Sequence, residues 1–310
     1  MKFAQLYTKL FAEPCCVLPA THAALRASLL ARLGGEAAAA APAQQSPAPS
    51  SGPPIVYEPD APGFGGRKPQ GYEETMMHLV LRQMQSVRGD IGIISVDGVI
   101  GAHLSSLEMA CGGCSLEAVR QSLDEAMADY RIRHIVLAFN SPGGSAGGVL
   151  ELAGYLASLA KHTVAFTDSQ MASAAYWLAA GCNEIFVTPT SDSGSIGVYI
   201  ALLDRSVQLQ MAGLKLELFK AGEYKALGLP GNPLNDSDRA LLQARVDRLY
   251  CWFTGFVDTH RGQVPERGLG TDTYQGQTFD GEDAVARGLA DGTVSDFGEL
   301  LALIETLGAR

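Results

Sequence analysis

Aromatic residues are scarce in this sequence, at 7% of 310 positions, and cysteine and histidine are scarcer still, with six of each. Cys15, Cys16, Cys111, Cys114, Cys182 and Cys251 are too few and too dispersed for a small secreted disulfide scaffold, which favours a reducing compartment. The histidines show no metal-ligand spacing. Basic charge is also in deficit: 23 Lys and Arg against 33 Asp and Glu give a net charge of −10. That balance argues against a general nucleic-acid binder, which carries a basic surface. No apolar run reaches the ~18 residues that would cross a bilayer. Near the start, Lys2 and Lys9 are followed by an apolar stretch broken at Glu13-Pro14, a poor signal peptide. A soluble cytoplasmic protein without membrane contact is the expectation. What the chain does have is apolar residues (47%) and glycine (35 residues), a mix suited to a tightly packed α/β protein with many turns.

Composition divides the chain into three parts. Residues 1–35 form a small N-terminal segment with a helical repeat at Ala23, Leu25, Leu29, Leu30 and Leu33. Residues 36–74 are mostly Ala, Pro, Gln, Ser and Gly, too poor in apolar surface to fold, and read as a disordered linker. Residues 75–310 form the body. There, short apolar runs at 91–96, 134–139, 163–166 and 184–187 read as strands. They alternate with helical patterns at 115–127, 149–159 and 172–180, with Ser115 as an N-cap. This alternation predicts right-handed crossovers and a mostly parallel sheet. A late helix carries the stripe Leu242, Val246, Leu249, Phe253 and Phe256, read as core packing.

Four places could carry chemistry. Asn140-Ser141-Pro142-Gly143-Gly144 follows a strand, and its paired glycines leave backbone N–H groups unshielded, as an oxyanion hole requires. It is equally the pattern of an ordinary strand-to-helix turn. Ser173 opens a helix among small residues, with the Ala174 N–H at the positive helix end; a plain N-cap serine has the same pattern. Lys225 lies in a less polar stretch ending Ala226-Leu227-Gly228. A lysine serves as a base only when burial lowers its pKa from about 10.4, and most lysines are solvated surface charges. Ser195, in the small-residue loop 190–198, could hold a lysine amine or sit in a polar turn.

Taken in order, these elements resemble the signal peptide peptidase A family of Ser/Lys peptidases, and within it the phage head-maturation (capsid assembly) protease branch. The resemblance spans about residues 90–295. It rests on the strand at 94–100, N-S-P-G-G at 140–144, A-S-A-A-Y at 172–176, G-S-I-G-V at 194–198, G-x-Y-K at 222–225 and G-x-x-A-x-x-x-G-L-A-D at 281–291. The start, E-P-x-x-x-L-P at 13–19, is similar to the phage branch. The resemblance implies a crotonase- and Clp-protease-like repeated β-β-α superhelix. It implies Ser173 as nucleophile, Lys225 as general base, Ser195 as the lysine's hydrogen-bond partner, and Gly143, Gly144 and Ala174 around the oxyanion. It also implies no cofactor or metal, capsid, portal or scaffold proteins as substrates, and a homo-oligomeric ring. The Ala-rich stretch 36–48 is a candidate self-cleavage site on the same grounds. Ala174 and Ala175 stand where many relatives have glycine, a small change that keeps the loop.

Other readings compete. A signal-peptide-peptidase-like cytoplasmic protease shares the same dyad. Gly143-Gly144-Ser145-Ala146-Gly147 matches the nucleophile elbow of α/β-hydrolases, which would make Ser145 the nucleophile and require a later histidine. His162 follows too closely, leaving His260. Cys111-Gly112-Gly113-Cys114 reads as half a zinc site, a redox pair, or a turn before the next helix. An inactive structural capsid-assembly factor would keep the fold without the chemistry.

Overall fold

The structure is a computed structural model, which describes residues 15–17, 85–105, 108–109, 112–262 and 271–308. The helical repeat at 23–33, the linker 36–74 and Cys111 lie outside the described residues.

The body is built from a repeated unit: a long strand, a short strand, then a helix. In the first, β1 (Ile91–Asp97) leads to β2 (Val99–Gly101), β3 (Gly113–Ser115) and α1 (Leu116–Ala128). The second runs β4 (His134–Asn140), β5 (Gly143–Ser145) and α2 (Val149–Ala157). The third runs β6 (His162–Thr167), β7 (Gln170–Ala172) and α3 (Ala174–Ala179). A fourth begins with β8 (Glu184–Val187) and β9 (Asp192–Gly194). The long strands pair in parallel, in the order β8-β6-β4-β1. An antiparallel strand at Gln85–Arg88 closes one edge. The parallel strand Gly292–Thr293 closes the other. This is the repeated β-β-α superhelix expected from the sequence.

Both faces of the long-strand sheet are covered, which is why its strands read as continuous apolar runs rather than alternating ones. Ile94, Val96, Ile135, Leu137, Phe139 and Ile185 face the core under α1, α2 and α3. Ile91, Val136, Val164 and Phe166 face the other way, against Leu300, Leu301 and Ile304 of the C-terminal helix Phe297–Gly308. Ser115 caps α1 as expected, its hydroxyl accepting from the Ala118 N–H at 3.5 Å.

The short strands form the second layer, and this layer carries the candidate site. β5 pairs in parallel with β2 through Gly144 and Ile100. Ser141, just before β5, bridges Met171 of β7 in parallel, and β7 pairs with β9. The free edge of β5 is taken by a strand from the N-terminal segment, Cys15–Val17, running antiparallel to it. The long helix Asp236–Arg261 starts with a capping box between Asn235 and Asp238. It docks mainly by its second half, where Phe253 and Val257 are buried. The expected core stripe is only partly so: Leu242, Val246, Leu249 and Phe256 stay partly exposed in the single chain.

Three sequence expectations are corrected locally. The segment 172–180 is not one helix: β7 ends at Ala172, and the helix starts only after Ser173. Met171 and Ala172 pair with β9, and that non-local ladder wins over local helical propensity. Cys114 belongs to β3 rather than to a turn, with the turn confined to Gly112 at φ 92°. Leu159 lies beyond the end of α2.

Candidate active site

Ser173 sits between β7 and α3 with φ 55° and ψ −117°, a backbone conformation normally left to glycine. Such a conformation costs about 1–3 kcal/mol and persists only where the surroundings enforce it. Here they do. The Ser173 N–H donates to the Gly194 carbonyl at 2.7 Å, and its own carbonyl accepts from the Trp177 N–H at 2.9 Å. The residue is 1% exposed. Its hydroxyl makes no capping bond to the helix, so the ordinary N-cap reading does not describe it.

Behind it, α3 is buried on every side. Trp177 stacks on Phe253 with ring centroids 4.4 Å apart and planes 4° off parallel. The Tyr176 hydroxyl donates to the Leu289 carbonyl at 2.8 Å, while burial pushes that phenol well above its usual pKa. The helix therefore has no freedom to shift under Ser173.

Ser195 follows β9 and is also buried with a positive φ of 54°. Its N–H donates to the Gln277 carbonyl at 2.7 Å. Because Gly194 accepts from the Ser173 N–H, the segments carrying Ser173 and Ser195 are hydrogen-bonded side by side. The glycine strand β5 packs on α3, the helix that Ser173 precedes.

At that strand the geometry is tighter than the sequence implied. The Gly143 N–H donates to Ser141 Oγ at 3.2 Å rather than facing open space. Gly143 has φ 97°, which glycine alone adopts readily. Gly144 lies so close to β2 that a Cβ there would meet the Ile100 carbonyl oxygen at 1.9 Å. Ser141, which the sequence reading passed over, turns out to be the best-connected residue of the loop; its only sequence signal was its place inside N-S-P-G-G.

Lys225 is elsewhere. It lies exposed in a turn over 221–228 that is closed by its own N–H to the Gly222 carbonyl at 3.3 Å. It lines an open cleft of about 570 Å³ with Leu203, Leu218, Phe219, Leu229 and Pro230, and Ser173 is not part of that cleft. No hydrogen bond joins Lys225 to Ser173 or Ser195 among the described residues. The surrounding segment shows Val207, Met211, Leu214, Phe219 and Leu229 to solvent, an unusual concentration of bare apolar side chains.

The competing readings fare differently. Ser145 lies inside β5 and its hydroxyl accepts from the Gly147 N–H at 3.4 Å, whereas the strained strand-to-helix turn belongs to Ser173. His260 stacks against Phe256 on its own helix. Cys114 is fully buried and its thiol is pushed up to about 12 by desolvation, the opposite of a metal ligand or redox thiol. No group of three or more His, Cys, Asp or Glu suited to a metal occurs among the described residues. No described helix is long and apolar enough to cross a membrane.

A serine in a strained turn between a short strand and a short helix, on a repeated β-β-α superhelix, defines an α/β protein with a candidate nucleophile. Residues 156–306 match the profile of Peptidase family S49. Ser173, Ser195 and Lys225 fall inside the matched region, and the glycine loop just before it. The chain is 29% identical over 283 residues to the head-tail preconnector protein GP5 of Enterobacteria phage P21, covering 91% of this chain and 53% of that one. It is 28% identical over 233 residues to the capsid assembly protease C of Escherichia phage lambda, covering 74% and 52%. The chain thus spans about half the length of these curated relatives. Among solved structures, an enoyl-CoA hydratase from Shewanella pealeana aligns over 76% of this chain and 78% of its own, with a TM-score of 0.44 and 11% identity.

Proposed function

We propose that this protein is a serine endopeptidase with a Ser173/Lys225 dyad that trims capsid, portal or scaffold proteins during phage head maturation. The observation that carries this reading is the backbone of Ser173. A buried serine with no capping role is held by its surroundings at φ 55°, at a conformational cost of the kind that clusters at active sites. Two phage head proteins among the relatives, one of them a capsid assembly protease, support the substrate class. Location follows from that class: the host cytoplasm, on the assembling head. No cofactor or metal enters the mechanism.

In this mechanism a neutral Lys225 amine takes the proton from Ser173 Oγ as the oxygen attacks a peptide carbonyl. The backbone N–H groups of Gly144 and Ala174 face the oxyanion that forms, while the Gly143 N–H is held by Ser141 Oγ. The lysine then hands its proton to the leaving amine, the C–N bond breaks, and an acyl ester remains on Ser173. Water, deprotonated by the same lysine, cleaves that ester and restores the hydroxyl. Ser195 holds the amine in place.

Lys225 is solvent-exposed in the single chain, and the cleft it lines does not include Ser173. The dyad is therefore completed by a second copy of the chain. One copy's 200–230 segment, with its bare apolar side chains and its lysine, packs against the neighbour's Ser173 face, burying both. Burial strips water from the amine and favours its neutral form. Repeated head to tail, this contact closes a ring.

Complementation tests the arrangement directly. Ser173→Ala and Lys225→Ala are each inactive on a peptide or unfolded-protein substrate. Mixed in equal amounts under conditions of subunit exchange, they regain about a quarter of wild-type activity, because a random quarter of the junctions joins an intact serine to an intact lysine. No recovery means that the lysine does not act across copies. Undiminished processing by Ser173→Ala alone rejects the protease reading in favour of a structural assembly role.

A further inference from the structure

We propose that Ser141 is the positioning residue of this site, holding the glycine strand and the nucleophile's strand in fixed relation. The inference rests on the reading of Ser173 as nucleophile. Ser141 is fully buried and uses every polar group it has. Its hydroxyl donates to the Gly98 carbonyl at 2.6 Å and accepts from the Gly143 N–H at 3.2 Å. Its N–H donates to the Gln170 carbonyl at 2.7 Å, and its carbonyl accepts from the Ala172 N–H at 3.1 Å.

These four bonds join three segments that are far apart in sequence. Gly98 is the turn between β1 and β2. Gly143 opens the glycine strand β5. Gln170 and Ala172 are the two ends of β7, whose last residue precedes Ser173. The distance between oxyanion donors and nucleophile is thus set through one side chain.

The chemistry of the hydroxyl makes the arrangement directional. A serine hydroxyl has one proton and two lone pairs. With the proton committed to Gly98, only a lone pair can face Gly143, so the Gly143 N–H must turn toward Ser141. That orientation fixes the peptide plane joining Pro142 to Gly143, and φ 97° at Gly143 sets the direction in which the strand leaves it toward Gly144. An alanine at 141 would leave the Gly98 carbonyl and the Gly143 N–H without this partner and the plane free to rotate. Proline at 142 cannot substitute, because it has no N–H.

With Ser141 fully buried and its hydroxyl engaged by Gly98 and Gly143, its removal is expected to act on turnover rather than on binding. The experiment compares wild type, Ser141→Ala, Ser141→Thr, Ser141→Cys and Ser173→Ala in the full chain. A fluorophosphonate that couples to activated serine hydroxyls counts competent Ser173, and kcat is expressed per labelled site. For Ser141→Ala, kcat per labelled site falls by about ten- to a hundredfold, the scale of a misplacement near 1 Å, while KM stays within about twofold. Ser141→Thr, or Ser141→Cys if threonine lowers the melting temperature, restores most of kcat because a donor is back in place.

A wild-type kcat per labelled site in Ser141→Ala overturns the proposal. So does an activity loss accounted for entirely by a smaller labelled fraction, because stabilisation of the fold alone predicts that. A rise in kcat would mean that freeing the Gly143 N–H helps the oxyanion, which also overturns it. Activity surviving in Ser173→Ala instead marks the failure of the nucleophile assignment and is read from a separate variant.

Discussion

Gly144→Ala is the sharpest available probe of whether the glycine strand and Ser173 form one catalytic unit. An ideal Cβ at position 144 would lie 1.9 Å from the Ile100 carbonyl oxygen and 2.6 Å from its carbon and nitrogen. All three are backbone atoms, so no side chain can swing aside. Contacts below 3.0 Å essentially never occur for a real Cβ, so β5 and β2 must separate by at least 3.0 − 1.9, or 1.1 Å. The long-strand sheet holds β2 through β1, which pairs with β4 along seven residues. The yielding element is therefore β5, and it packs on the helix that begins at Ala174. A displacement near 1 Å at a reacting centre costs on the order of a hundredfold in rate.

Gly154→Ala is the control. A Cβ there meets nothing within 4 Å, and alanine favours the surrounding helix α2 by about 1 kcal/mol over glycine. Steady-state kinetics on a peptide substrate should show kcat/KM down about a hundredfold for Gly144→Ala and unchanged for Gly154→Ala. Circular dichroism at the assay temperature verifies that both remain folded. A folded Gly144→Ala protein with wild-type kcat/KM would refute the reasoning, because the strand could then move without the chemistry noticing.

Two further outcomes follow from the packing and the charges. Phe253→Ala removes the ring stacked on Trp177 beneath the nucleophile's helix, and truncating a fully buried phenylalanine costs about 3–5 kcal/mol. At roughly 2–4 °C per kcal/mol for a chain of this size, scanning calorimetry should record a drop of about 6–20 °C, and a drop below about 2 °C contradicts the stacking as an anchor. His134 is held below the usual histidine range near 6.5, first by burial and then by the neighbouring His162, whose Nδ1 lies 3.4 Å from its own. The folded state therefore binds this proton less readily than the unfolded chain. The contribution is present in full above pH ~6.5 and is lost as pH falls through that value toward the folded one. Melting temperatures between pH 8 and 5 should decline less steeply for His134→Gln than for wild type, and identical slopes would remove His134 from the acid sensitivity.

Much of this molecule was legible in its sequence because local pattern and local chemistry coincide there. The apolar runs at 91–96, 134–139 and 184–187 are strands because they are buried on both faces, and burial on both faces leaves an unbroken apolar signature. Ser115 caps its helix because a hydroxyl at that position satisfies a first-turn N–H whatever the rest of the fold does. The order of short motifs around Ser173, Ser195 and Lys225 pointed to a Ser/Lys peptidase family, and residues 156–306 match the profile of Peptidase family S49.

Only the folded chain decided the rest. A serine opening a helix looks alike whether its φ is negative or +55°, because the difference comes from the bond to Gly194, twenty-one positions away. Nothing near Ser141 in sequence says that its hydroxyl will meet Gly98, forty-three residues earlier. The helical reading of 172–180 failed at its first residues because pairing with β9 outweighs local propensity. And the sequence set Lys225 in an apolar stretch without saying that a single chain leaves that stretch in water. Periodicity and capping report what a residue does with its neighbours along the chain; hydrogen bonds between distant segments and the coverage of a surface are properties of the assembled fold.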